Sequence, residues 1–145
     1  MNTLEAKPVP HPDRESQPYW DGAAEGKLRL QRCTACGKVR NYPQLVCTDC
    51  YSLEVEWIEA SGRGSVHSWT VAHHAFLPAF KPDLPYTLVI VDLEEGPRTM
   101  GRLDPSAQAA PRIGMPVRVS FERNAEGTPL PVFFAADHGS IPTGE

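Results

Sequence analysis

The chain has 145 residues, a formal net charge of −4 and a hydrophobic fraction of 41%. That is enough apolar material for a core in one ordinary domain, or in a small module joined to a compact one, and it excludes global disorder. The acidic balance is not that of a general nucleic-acid binder, and no apolar run approaches the roughly 18 residues that span a bilayer.

Residues 1–16 are polar and proline-rich and read as a flexible arm. They hold no apolar signal-peptide core, so a cytoplasmic protein is expected. A short helix is expected over 17–25. Ser16 stands at its cap, Trp20, Ala23 and Ala24 share one face, and Gly26 sits at its end. Gly22 is the weak point of that helix. Residues 27–32 alternate and predict a strand entering the first cysteine pair. Leu53, Val55 and Trp57 alternate with Glu54 and Glu56 and predict a half-buried strand leaving the second.

Ser61-Gly62-Arg63-Gly64 then breaks the pattern and marks a domain boundary. Strands are predicted over 65–73, 86–93, 98–103, 117–122 and 132–135. The near-continuous apolar run of 86–93 implies cover on both faces. Five short strands suit a small closed barrel, which removes sheet edges, and the OB barrel is the natural form. The expected fold class is therefore mainly β, an N-terminal helix and zinc ribbon followed by a five-stranded OB-fold barrel. Its expected parts are an arm (1–16), a helix and ribbon (17–60), a barrel (61–136) and a tail (137–145).

Cys33-Thr-Ala-Cys36 is followed by Cys47-Thr-Asp-Cys50, and these are all the cysteines of the chain. In a reducing compartment paired C-x-x-C turns point to a metal rather than to disulfides. Two such knuckles complete the tetrahedron that zinc takes in structural sites. Gly37, directly after the first knuckle, suits a positive φ. Four thiolates also suit a rubredoxin-like iron, and a small iron-redox protein is the reading that follows from it. Zinc is preferred because no flavin or nicotinamide motif accompanies the site. The stretch from Lys27 to Thr48 carries Lys27, Arg29, Arg32, Lys38 and Arg40 and no acid. These cations either offset the formal −2 of a metal with four thiolates or meet an anionic partner, and the local reading is preferred.

No phosphate loop, nucleophile elbow or H-E-x-x-H motif is present. The cysteines are committed to metal, and a closed site leaves no position for a reacting water. No catalytic residue is therefore assigned. His73 and His74 end the first barrel strand and read as ordinary strand-end histidines, as does His67 within it. The loop from His74 to Pro85 carries Phe76, Leu77, Phe80 and Leu84, stiffened by Pro78, Pro82 and Pro85. It forms either a lid over the barrel or a surface for a partner.

Several features taken together resemble the DUF35 family of zinc-ribbon plus OB-fold proteins. They are Tyr19-Trp20, Leu28-Arg-Leu-Gln-Arg-Cys, the two knuckles, Gly64-Ser-Val-His-Ser-Trp-Thr, Pro85-Tyr86, Val91-Asp-Leu-Glu-Glu-Gly96 and Gly114-Met-Pro-Val-Arg-Val. The resemblance covers roughly residues 17–136. Tyr51 stands where a rubredoxin knuckle has glycine, so rubredoxin itself is a poorer match.

The resemblance implies an accessory subunit in a hetero-oligomer with a thiolase-superfamily protein: a thiolase, an acyltransferase or a steroid side-chain aldolase. The barrel then helps hold a CoA ester, the ribbon helps dock the partner, and catalysis belongs to the partner. Structural Zn²⁺ and a shared acyl-CoA are the implied ligands. His74, Phe76, Phe80, Arg98 and Arg102 are the candidate CoA- or partner-binding residues. The competing function is a nucleic-acid-binding ribbon and OB module. Trp69 and Tyr86 offer stacking surfaces for it, but Asp92, Glu94 and Glu95 oppose it.

Overall fold

The computed structural model describes residues 6–105 and 110–136, so the tail expected over 137–145 lies outside the described residues. Helix α1 (Gln17–Ala24) is followed by β1 (Arg29–Cys33), β2 (Val39–Arg40) and β3 (Val55–Glu59), which form one antiparallel sheet in the order β2-β1-β3. Strands β4 (Arg63–Ala72), β5 (Tyr86–Leu93), β6 (Arg98–Leu103), β7 (Pro116–Arg123) and β8 (Pro129–Ala135) close into a barrel in the order β4-β5-β6-β8-β7. Only the β6–β8 pair is parallel. The fold class expected from the sequence is the fold observed.

Three local expectations for the helix need correction. Ser16 makes no capping bond with its side chain; its backbone N–H donates to Asp13 Oδ1 at 2.7 Å, and Asp13 supplies the oxygen that the helix start requires. Ala24 is exposed, and Tyr19, Gly22 and Ala23 form the packed side. Gly22 is a requirement of the packing rather than a weakness, because a Cβ there would lie 2.8 Å from Arg29 Cγ. The end is as expected. Gly26 has φ +77°, its N–H donates to Ala23 O, and that of Lys27 donates to Gly22 O, which is a Schellman close.

The strand bounds fall within two or three residues of those predicted, but the burial differs in two places. On β5, Val89, Val91 and Leu93 are buried and alternate with half-buried Leu88, Ile90 and Asp92, so one face is fully covered rather than both. On the strand leaving the ribbon, Leu53 is 65% exposed and Val55 37%. Strand β3 is an edge of its sheet, and on that face Leu53, Val55 and half-buried Trp57 line an open groove with Arg14, Glu15 and Leu45.

Ribbon and barrel share one core. Leu28 and Leu30, on either side of Arg29, belong to the same buried cluster as Val66, Val89, Val91, Val117 and Phe133. Tyr19 packs at its margin, edge-to-face with Phe121 at 6.3 Å. Burial pushes the Tyr19 phenol up to about 12, with a smaller contribution from Tyr42. The fold thus favours the neutral phenol. Its contribution is fully present below pH about 10, the ordinary tyrosine value, and is lost as pH rises towards 12. In an alkaline absorbance titration, one tyrosine should ionise only near pH 12, and Tyr19→Phe should remove that late transition. Persistence of the late transition in the variant would contradict the assignment.

Candidate functional site

The two knuckles are built alike. Cys33 closes β1, and its carbonyl accepts the Gly37 N–H at 2.8 Å while its own N–H donates to Lys38 O at 2.9 Å. In the second knuckle the Cys47 carbonyl accepts the Tyr51 N–H at 2.9 Å, and the Cys47 N–H donates to Ser52 O at 3.0 Å. Gly37 has φ +80° and Tyr51 φ +62°. The left-handed turn needed after each C-x-x-C is therefore made once by glycine, as expected, and once by a tyrosine that carries the steric cost.

The four sulfurs converge. Cys33, Cys36, Cys47 and Cys50 place their Sγ atoms all within 4.8 Å of one another. Cys33 to Cys50 is 3.6 Å and Cys36 to Cys47 is 3.7 Å. A tetrahedron with metal–sulfur bonds of about 2.3 Å has sulfur–sulfur edges of about 3.8 Å, so the donor set fits a thiolate-ligated ion in size and number. Backbone N–H groups favour the thiolate at two of the four: those of Cys50 and Asp49 pull the Cys47 thiol down to about 6, and that of Cys36 leads the lowering of Cys33. At Cys36 and Cys50 burial and neighbouring sulfurs outweigh the backbone N–H groups and push the thiols up, Cys50 to about 12. Cys33 and Cys47 are buried while Cys36 and Cys50 lie at the surface.

A second layer holds the knuckles in place. Gln31 is buried, and its Oε1 accepts from Arg40 Nε at 2.7 Å and from the Gln44 N–H at 2.8 Å, which ties the loop leading to Cys47 onto β1 and β2. Lys38 donates to Asp49 at 2.7 Å and joins the two knuckles.

The basic stretch is not an open cationic face. Lys27 pairs with Glu59, Arg29 with Glu25, Arg32 with Glu56 and Lys38 with Asp49, and Arg40 is buried against Gln31 and Gln44. The acids that balance these cations come from the helix end, the second knuckle and β3. A count restricted to Lys27–Thr48 misses all four, since two are supplied by β3 and the others lie just outside the stretch at the helix end and in the second knuckle.

The five candidate CoA- or partner-binding residues fall into three places. His74 and Phe76 meet edge-to-face at 4.9 Å, and Phe76 is 92% exposed. Phe80 is half-buried in the 3₁₀ helix Pro78–Asp83, with Lys7 Nζ 5.4 Å from its ring centroid. Lys7 also pairs with Asp83 at 2.6 Å, so this part of the arm runs over the loop. Arg102 lies 4.9 Å from the Tyr86 ring centroid and 3.6 Å from Asp83. Arg98, on the same outer face of β6, donates to Asp92 at 2.6 Å. Asp92 also sits 3.2 Å from His67 Nδ1, and its carboxyl is held below the usual range chiefly by Arg98. His67 is the residue at which the β4–β5 register shifts, and the bulge aims it at Asp92. Lys7, Phe80, Asp83, Tyr86 and Arg102 thus form one cluster, while Arg98 stands apart, where Asn41 of the ribbon donates to its carbonyl.

Two matches decide the family. Residues 20–56 fit the model described as the ChsH2 rubredoxin-like zinc ribbon domain, and residues 57–122 fit that of the ChsH2 C-terminal OB-fold domain. A DUF35 domain-containing scaffold protein of Methanocaldococcus jannaschii is 35% identical over 96 residues, which cover 66% of this chain and 67% of that protein. The chain belongs to the DUF35 family. A solved structure titled Ltp2-ChsH2(DUF35) aldolase superposes with a TM-score of 0.77 at 37% identity, over 89% of this chain and 100% of that one. A probable enoyl-CoA hydratase alpha subunit of Thermomonospora curvata is 36% identical over 127 residues, 88% of this chain. The match spans only 39% of that subunit's length, so its whole activity does not transfer with the DUF35 likeness.

The sequence marks Trp69 as a surface aromatic, and it is 40% exposed; it does not mark Val71, also 40% exposed, or Leu45, 63% exposed, and Tyr51, marked only for its place in the turn, is 79% exposed. The signal available for Tyr51 was a bulky residue at a position that wants glycine.

Proposed function

We propose that this chain is a non-catalytic accessory subunit that binds a thiolase-superfamily protein and helps hold its acyl-CoA substrate. The observation that carries this reading is the full-length match to the DUF35 chain of an aldolase structure at 37% identity. A scaffold protein and an enoyl-CoA hydratase subunit among the relatives support subunit status and CoA-ester chemistry. The partner is a thiolase, an acyltransferase or a side-chain aldolase, and the complex is a hetero-oligomer in the cytoplasm.

In this reading Cys33, Cys36, Cys47 and Cys50 hold Zn²⁺, which ties the knuckles together and supplies no open coordination position. Residues 17–60 act as the docking unit and 61–136 as the ligand-handling unit. Phe76 is the leading contact of the barrel side, because a ring 92% exposed and met edge-on by His74 offers most of its area to a partner. Phe80, Arg98 and Arg102 contribute less, since each already has partners within the chain.

Phe76→Ala should weaken binding to the co-purified thiolase-like chain, or to its acyl-CoA, by about tenfold or more while leaving the melting temperature unchanged. Unaltered affinity for both would remove Phe76 from the interface. Tight, length-dependent binding of single-stranded DNA instead would favour the nucleic-acid module.

A further inference from the structure

The barrel closes where β4 meets β7, and the register there sets Arg63 directly opposite Arg118. Like charges opposed across two strands disfavour the pairing. Both residues are exposed. Arg63 reaches only Glu94, at 3.7 Å, with both side chains more than half exposed. The Arg118 side chain makes no hydrogen bond or ion pair among the described residues, whereas Arg98 and Arg102 each have a carboxylate close by. The Arg118 guanidinium is thus uncompensated beside an arginine offset only by a loose, exposed ion pair, a cost to the free barrel that an anion would relieve.

The surroundings define what kind of anion. Arg63 and Arg118 line a groove of about 600 Å³ with Ser61, Val119, Ser120 and Phe134, and the carboxylates of Glu94 and Glu95 next to it are engaged by Ser61. That volume lies in the range of small-ligand sites. Phe134 is the cross-strand neighbour of Arg118 on β8, is half-buried and lines the same groove. Two planar forks suit phosphate oxygens in bidentate geometry, and an aromatic face suits a base.

We propose that the β4–β7 seam is a nucleotide-phosphate site, in which Arg63 and Arg118 clamp the phosphates and Phe134 supports the base. A CoA ester carries this chemistry at its nucleotide end, and so does a free nucleotide. If the ligand is CoA, the site rests on the acyl-CoA reading and places its phosphates at the β4–β7 seam rather than at Arg98 and Arg102 on β6.

Isothermal titration of the full chain with CoA, adenosine 3′,5′-bisphosphate and pantetheine tests it. CoA and the bisphosphate should bind and pantetheine should not. Bisphosphate affinity equal to that of CoA assigns the site to the nucleotide end alone, and tighter CoA binding adds the pantetheine arm. Arg63→Thr and Arg118→Thr should each weaken both nucleotides by about tenfold, as for loss of a charge-assisted hydrogen bond. Arg118→Thr should also leave unchanged or raise the melting temperature of the free protein, since it removes the repulsion. CoA binding that neither variant changes would overturn the site while leaving the acyl-CoA reading intact. Absence of binding to either nucleotide would overturn it too, as would affinity for oligothymidylate that grows with length and exceeds that for CoA.

Discussion

Cys47→Ser is expected to remove the bound metal and unfold the ribbon. The Cys47 side chain is fully buried, and its sulfur lies 3.7 Å from that of Cys36. A serine oxygen in its place is a hard, neutral donor that cannot complete a thiolate set. Apparent binding free energies of structural zinc are about 10–16 kcal/mol, and in a small ribbon that energy is folding energy. Little else holds the loop of the second knuckle: the Gln31–Arg40–Gln44 bonds, the Lys38–Asp49 pair and the two backbone bonds of Cys47.

The damage should also reach the barrel, because Leu28 and Leu30 lie in the common core. Metal analysis should fall from one zinc per chain to near zero, and limited proteolysis should cut within 33–50. A variant that kept its zinc and its protease resistance would contradict the assignment, and stoichiometric iron in the wild-type protein would replace zinc.

Phe133→Ala is the second large effect. Phe133 is completely buried at the parallel β6–β8 junction, paired with Leu103 on one side and Val119 on the other. Gly101 is shaped around it, since a Cβ there would lie 2.9 Å from the Phe133 ring. Truncating such a ring costs about 3–5 kcal/mol, because the lost contacts leave a cavity that a closed barrel cannot collapse around. The melting temperature should drop by on the order of 10 °C, with zinc still bound at full stoichiometry. A drop of less than a few degrees would mean that the barrel core is elsewhere.

The separation between these two variants follows from how the chain is built. The knuckles were legible because their chemistry is local: four cysteines, a glycine at positive φ and two short spacings. The barrel was legible in number of strands, since apolar alternation on β7 and the dense run of β5 survive without knowledge of their neighbours. What the sequence hid was set by pairing across the chain. Alternation at Leu53 and Val55 said strand but not that β3 would be an edge with an open groove on one face. Gly22 looked like a helix defect until Arg29 was found against it. The basic run from Lys27 onward looked cationic until Glu25, Glu56 and Glu59 came alongside. Arg63 and Arg118 are fifty-five positions apart in the chain, and only the closing register of the barrel makes them neighbours. The candidate surface was legible in the same limited way: the sequence marked the loop carrying Phe76 and Phe80, but not that Phe76 points outward while Phe80 packs beneath Lys7.

In the proposed function this chain completes another protein's site and leaves the chemistry to it. The most direct measurement is the acyl-CoA activity of the co-purified thiolase-like chain, assayed alone, with this chain added back, and with the Cys47→Ser variant added back. The account predicts little activity alone, recovery with the wild-type chain, failure of the variant, and no turnover by this chain by itself. Full and stable activity of the partner in the absence of this chain would contradict it.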